Sequence, residues 1–307
     1  MRINPELTFT NIDLNQAQPA DLRRIGMGVA VEMADAFGAS LSAQPTENEL
    51  KSLVGAVGSA ATLRDNVAHV QEVLGTDQNA LEIAQSWVNR SGLLTPVHRS
   101  YMNAEMPEQQ PDVVAMTDGM ANWMQWRATN IVHGVEQGDI AVGTPVIMAA
   151  NYRPMKTAER DDVEEGMTAY DYMEQVIVPQ VSNLVVPRLV AVGERGKAVA
   201  NGEEVAAAVA QEVESDSSRV LVVSNAGAWQ QAAGQMRRAL RGRFDTDYDA
   251  RGDRLSVLAA SQIKQPDGTY KDIAVGDGSE PRSQAQDPNA ALGSVARGIL
   301  EMRRHIA

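Results

Sequence analysis

Four times between residues 111 and 245 the chain repeats one pattern: an apolar run, a corner of small or polar residues, then helix-forming sequence. The first copy is PDVVAMTDGMANWMQW, Pro111 to Trp126, where Val113 to Met116 meets the corner Thr117-Asp118-Gly119. Further strands are expected at Val146 to Ala150, Val186 to Val192 and Arg219 to Ser224, with a fifth from Arg254 to Ala260. Continuous rather than alternating apolar runs mark strands covered on both faces, as in parallel sheets. Right-handed crossovers then place helices on both sides. The expected fold is α/β, a doubly wound, mainly parallel sheet of about five strands. Ligands of such sheets bind at the carboxyl ends of the strands, where these corners lie.

Ahead of the repeats the sequence reads as helix. Leu22, Ile25, Val29, Met33 and Phe37 share one helical face. Thr46 with Glu49 forms a capping box before Leu50, Leu53, Val54 and Val57. Leu63, Val67, Val70 and Leu74 make a third face that Gly75 ends, and Asp77 opens a fourth helix through Leu81, Ala84, Trp87 and Val88. The expected division is an N-terminal helical subdomain, 1–108, able to serve as a lid over the strand ends, and a Rossmann-like domain, 109–307. Near the end, Ile273 to Val275 is expected as a short edge strand after the Pro266-Asp267-Gly268 turn. The amphipathic helix from Asn289 to His305 is expected to pack back on the sheet.

Composition excludes several classes of function. A net charge of -13 speaks against a nucleic-acid partner, which needs a surplus of Lys and Arg to neutralise phosphates. The absence of cysteine removes thiolate metal sites and a Cys nucleophile. No stretch approaches the length of a membrane span, and the first residues lack the basic and apolar regions of a signal peptide, so no membrane partner and a cytoplasmic location are expected. His69, His98, His133 and His305 lack paired metal-ligand spacing, and the aspartates of FDTDYDARGDR fail the calcium-loop pattern at Ala250 and Ser256, so no metal is expected. There is no Walker-A sequence, and Gly26-Met27-Gly28 lies inside a helix rather than after a strand. No particular cofactor is indicated.

The chemistry is expected at four corners: Thr117-Asp118-Gly119, Asn151-Tyr152-Arg153, Gly193-Glu194-Arg195-Gly196 and Ser224-Asn225-Ala226-Gly227. In a parallel sheet all four lie along one edge, each at a helix start whose free amides favour an anion. Asp118 is a candidate general base or ribose-hydroxyl ligand, or else a helix cap. Glu203 is the second acid/base candidate, although acidic residues also suit the first turn of a helix. Gly119, Asn122, Asn151, Arg153, Gly193, Ser224 and Asn225 are the candidate ligand-binding residues, with Arg153 the best-placed cation. Trp123, Trp126 and Trp229 wall a pocket or belong to the core.

Laid out in this order, the corners resemble the YdcF-like family, related to the SanA-type envelope proteins, over about residues 111 to 245. The small-residue loop is Asp118-Gly119. Ala150-Asn151-Tyr152-Arg153 replaces a Gly-Gly loop, Glu203-Glu204-Val205 stands for Glu-Asn-Ala, and VLVVSNAGAWQQAAGQMRRAL matches the fourth strand and its basic helix. The resemblance implies a Rossmann-like cleft holding a nucleotide-like or other small anionic ligand; group transfer on that ligand is one reaction open to such an edge. The replaced Gly-Gly and Glu-Asn-Ala positions, with the acidic stretch Glu159 to Glu165, leave open a non-catalytic interaction protein.

Overall fold

A computed structural model of the chain describes residues 19–42, 44–58, 63–91, 110–225, 229–244, 255–259, 262–272, 292–293 and 295–300. The chain divides into two compact units, one of Met1–Thr95 with Ile273–Ala307 and one of Pro96–Asp272.

The first unit is helical. Its helices are α1 (Pro19–Phe37), α2 (Glu47–Gly58), α3 (Leu63–Leu74) and α4 (Gln78–Ser91). The start of α2 is the expected capping box: the Thr46 amide donates to Glu49 Oε2 at 2.7 Å and the Glu49 amide to Thr46 Oγ1 at 3.3 Å. These hydrogen bonds hold the Glu49 carboxyl at about 2, well below its ordinary range. Gly75 takes φ 98° where α3 stops, a conformation open to Gly at little cost. Asp77 then accepts from the Ala80 amide at 2.8 Å to start α4. Leu50, Leu53, Met33 and Val88 are buried, and the Phe37 ring lies 6.0 Å from His69 and 6.4 Å from Trp87. Residues 292–293 and 295–300 are helical and bury Leu292, Val295 and Ile299. They belong to this unit.

The second unit is the doubly wound α/β fold. Its strands are β1 (Val113–Thr117), β2 (Pro145–Asn151), β3 (Val186–Val192), β4 (Val220–Ser224) and β5 (Leu255–Ala259), all parallel, in the order β3-β2-β1-β4-β5. The connecting helices are α5 (Ala121–Glu136), α6 (Ala169–Tyr172), α7 (Val178–Val181), α8 (Gly202–Glu212) and α9 (Trp229–Phe244). Alternate strand residues feed two cores. Val114, Met116, Val146 and Met148 pack with Met124 and Ile131 of α5 and Tyr172 of α6. Ala115, Ile147, Val220 and Val222 pack with Val205 and Val209 of α8 and Met236 and Leu240 of α9.

Between α6 and α7 the helix opens into a π turn, Met173–Ile177, in which the Val178 amide reaches back five residues to the Met173 carbonyl. Pro179 supplies the cause, because it lacks the N–H that would continue the α ladder. On the edge strand β3, the Val186 amide bonds to the Thr144 carbonyl, so in a parallel ladder Pro187 faces outward. A proline there leaves the open edge without a donor for another strand.

Past β5, the Pro266-Asp267-Gly268 turn joins β6 (Gln262–Lys264) to β7 (Tyr270–Asp272) in a separate antiparallel pair. The strand after the turn is thus Tyr270–Asp272; the expected Ile273 to Val275 lies outside the described residues, as does the aspartate stretch from 245. Tyr270 explains the placement: its ring stacks on His133 at 4.0 Å and its hydroxyl donates to Glu136 at 2.6 Å, beside Lys264 at 2.7 Å from the same carboxylate.

Candidate functional site

The order of the strands fixes where a site belongs. From β1 the chain steps outward to β2 and β3, then returns to lay β4 and β5 on the other side of β1. The crevice between the carboxyl ends of β1 and β4 is therefore the topological switch point of the sheet. Thr117, Asp118 and Gly119 end β1, and Ser224 and Asn225 end β4.

Between them stands a residue the sequence reading missed. Arg127, 3% exposed, comes from the second turn of α5; its Nη1 donates to the carbonyls of Thr117 and Asp118, both at 2.7 Å, and its Nη2 to Asn225 Oδ1 at 2.9 Å. One guanidinium thus ties the ends of β1 and β4 together. Burial lowers its pKa to about 10, against the attraction of the Asp118 carboxylate, so it remains a cation. One turn further along, Asn130 donates to the Ser224 carbonyl at 2.9 Å. The spacing of Arg127 and Asn130, three apart among Met124, Ala128 and Ile131 on a helix after a strand, is the signal that could have revealed them.

Asp118 does not cap α5. Its Oδ2 accepts from the Asn151 amide at 2.9 Å, joining the ends of β1 and β2. Burial raises its pKa, opposed by that amide and by the charges of Arg127 and Arg153. Gly119 lies against both neighbours, since a Cβ there would meet Trp123 at 3.3 Å and Arg127 Nη1 at 3.5 Å. Asn151 is buried and divided between two tasks: its amide nitrogen donates to the Ala200 carbonyl at 3.0 Å, and its Oδ1 accepts from the Arg153 amide at 2.8 Å.

Arg153 reaches across to the start of α5. Its Nη2 donates to the Gly119 carbonyl at 2.9 Å and its Nη1 to Glu159 Oε1 at 2.8 Å. Glu159 in turn accepts the Ala121 amide at 3.1 Å, so the cap of α5 comes from 38 residues away. The residue at the N-cap position, Met120, has no side-chain acceptor to offer. Burial pushes the Glu159 carboxyl up, but the bonds and charge of Arg153, with the Ala121 and Lys156 amides, bring it below its ordinary value.

The structure therefore gathers Asp118, Gly119, Asn151, Arg153, Ser224 and Asn225 along one edge, and Asn122 sits buried in the first turn of α5. Two candidates come from the connection after β3. Gly193, at φ 78°, opens the loop from β3 to α8, where Arg195 lies 5.1 Å over the Tyr152 ring and donates to Asp171 at 3.0 Å. Glu203 is in the first turn of α8 and pairs with Arg238 of α9, while Asn201 and Glu204 cap that helix as a box. Of the tryptophans, Trp126 and Trp229 are core residues at 3% and 5% exposure, and Trp123 packs beside Gly119. Among the described residues no cluster of His, Asp and Glu could hold a metal ion, and no helix is long and apolar enough to cross a membrane.

Against models of known protein families the chain matches none. A comparison with curated proteins likewise finds no relative.

Proposed function

We propose that this protein binds a small anionic ligand, of which nucleotide-containing compounds are the first class to test, at the switch point between β1 and β4. The observation that carries this reading is the convergence of two arginines, Arg127 from α5 and Arg153 from the end of β2, on the Asp118-Gly119 turn where α5 begins. Guanidinium groups and a helix start are the groups that bind phosphoryl and carboxylate oxygens. Asp118, with its raised pKa beside them, is the group suited to hold a ligand hydroxyl or carry a proton in group transfer. The corner pattern that resembles the YdcF-like family agrees with such a use of this edge.

The test is a thermal-shift screen of nucleotides, S-adenosylmethionine, nicotinamide cofactors and sugar phosphates. A ligand that binds only the folded state raises Tm by an amount that grows with the logarithm of its excess over Kd. A rise with one class, lost in Arg153→Ala and weakened in Asp118→Asn while both variants keep their fold, supports the reading. An unchanged response in both variants contradicts it.

One observation favours a second reading, a non-catalytic interaction protein. Asp118, Asn151, Arg153 and Asn225 all have partners within the chain, as a purely structural clamp would require. The exposed acids Asp161, Glu164 and Glu165 would then meet a basic partner. Reversing those three charges should abolish capture of that partner, and undiminished capture would exclude this role for them.

A further inference from the structure

The connection from β2 to α6, residues 152–168, is far longer than the roughly 2–6 residues usual between a strand and its helix. Loops of that length at a strand-end edge generally bind or cover something. This one is closed at its base. Pro154 and Thr168 form an antiparallel bridge, the Met155 amide donates to the Met167 carbonyl at 2.9 Å, and the Ala169 amide donates to the Arg153 carbonyl at 2.9 Å. Met155, Val163 and Met167 are buried beneath it, whereas Lys156, Thr157, Asp161, Glu164 and Glu165 are exposed.

From this loop one carboxylate turns inward. Glu159 ends the 3-10 turn Thr157–Glu159, and its side chain is 12% exposed. Oε2 accepts from the Ala121 amide at 3.1 Å and from Arg153 Nη2 at 3.3 Å; Oε1 accepts from Arg153 Nη1 at 2.8 Å and from the Lys156 amide at 3.3 Å. An amide at the start of a 16-residue helix and both arms of a guanidinium are the partners a phosphoryl group would take. The protein's own carboxylate therefore occupies the place of an external anion.

Two buried polar groups near the ends of β1 and β4 lack a hydrogen-bond partner. Arg127 Nε is buried without a hydrogen-bond partner, behind the Gly119 turn that its Nη1 already holds. Ser224 is 0% exposed, and its hydroxyl likewise has no partner at the end of β4. Buried polar groups are nearly always satisfied, so these two mark the switch point as incompletely paired.

We propose that the β2–α6 loop is a plug: Glu159 closes the anion seat at the start of α5, and a ligand bearing a phosphate or diphosphate binds by displacing it. The inference rests on the anion-site reading above and specifies how that site is regulated. A phosphoryl dianion competes for the same donors with more charge than a carboxylate. Displacement detaches Glu159 from Arg153 and frees the loop between Met155 and Met167. The measured affinity of the intact protein is then the intrinsic affinity reduced by the fraction of molecules whose plug is open.

The test uses the full chain and inorganic pyrophosphate as the probe, with calorimetry for affinity and hydrogen–deuterium exchange for the loop. Glu159→Gln removes the competing charge and should bind roughly tenfold or more tightly than the natural chain, which corresponds to a plug closed about nine-tenths of the time. Pyrophosphate should speed exchange at 155–167 in the natural chain and leave it unchanged, already fast, in Glu159→Gln. Should that variant fail to fold, Glu159→Asp, with a shorter reach and the same charge, should show a smaller gain. Equal affinity of the natural chain and Glu159→Gln, with loop exchange indifferent to the probe, would overturn the plug while leaving the anion site standing. If a folded Glu159→Gln does not bind pyrophosphate at all, the anion site fails and the plug with it.

Discussion

Replacing Arg127 by Met should unfasten the switch point while retaining most of the buried stem volume. The guanidinium serves three acceptors: the carbonyls of Thr117 and Asp118 and the Asn225 side chain. Leaving each without its donor costs about 1 kcal/mol or more in a buried setting, so a total near 3 kcal/mol is expected, at the lower end of the cost of breaking a buried ion pair. Asp118 is only partly buried, which is why the higher end is not expected. For a unit the size of Pro96–Asp272 this corresponds to a fall in Tm of about 6–12 °C. The variant should also change the pH response. Burial raises the folded pKa of Asp118 above its unfolded value, so the folded state holds this proton longer, and stability falls as pH rises from about 4 through the folded pKa. Without Arg127 the carboxylate loses its opposing charge and that decline extends to higher pH; in Asp118→Asn it disappears. Urea unfolding followed by circular dichroism and by tryptophan fluorescence, with Trp123 and Trp126 on the same helix, measures both effects. A loss below about 1 kcal/mol with an unchanged denaturant slope would show that Arg127 is not what joins β1 to β4.

Four further outcomes follow from other contacts. Gly134→Ala places a Cβ 2.8 Å from the buried Ile140 side chain and should cost about 1–3 kcal/mol. Gly202→Ala meets only the end of the Gln235 side chain at 2.7 Å, so that side chain can turn away and denaturation should show a loss of less than about 1 kcal/mol. Arg195 and the Thr168 bonds depress the Asp171 carboxyl to about 2, so its stabilising contribution is complete above about pH 4 and is lost as pH falls towards 2; Arg195→Gln should flatten that part of a Tm-versus-pH curve. Tyr270→Phe removes one hydrogen bond to Glu136 while keeping the stack on His133, and amide exchange in β6 and β7 should rise by roughly threefold to tenfold, reflecting about 0.5–1.5 kcal/mol.

The fold was legible because its determinants are local. Val113 to Met116 and Val220 to Ser224 are apolar without alternation, which only a strand covered on both faces explains, and Thr46 with Glu49 states its cap outright. The candidate site was legible as a place, since the corners follow from strand ends, but not as a set of bonds. Asp118 in sequence is as good a cap as a ligand; what takes it from the cap is the Asn151 amide, 33 residues away. Glu159 stands in a charged run that reads as a solvated face, and only the closure of its loop at Pro154 and Thr168 turns it towards α5. Arg127 is hidden for a related reason, because an arginine within a helix is ordinarily at the surface. The strand at Tyr270–Asp272 has no apolar run and exists through its hairpin partner and its hold on α5.

The central claim, an anion seat at the switch point, is tested most directly by the backbone amides themselves. In a ¹⁵N-labelled sample titrated with pyrophosphate and with a nucleoside triphosphate, resonances of Gly119, Ala121, Arg153 and Asn225 should move together and saturate at one Kd, and the Arg153→Ala variant should abolish the change. If these amides remain still while either compound binds, or if the shifts gather elsewhere in the chain, the strand-end edge is not the ligand site.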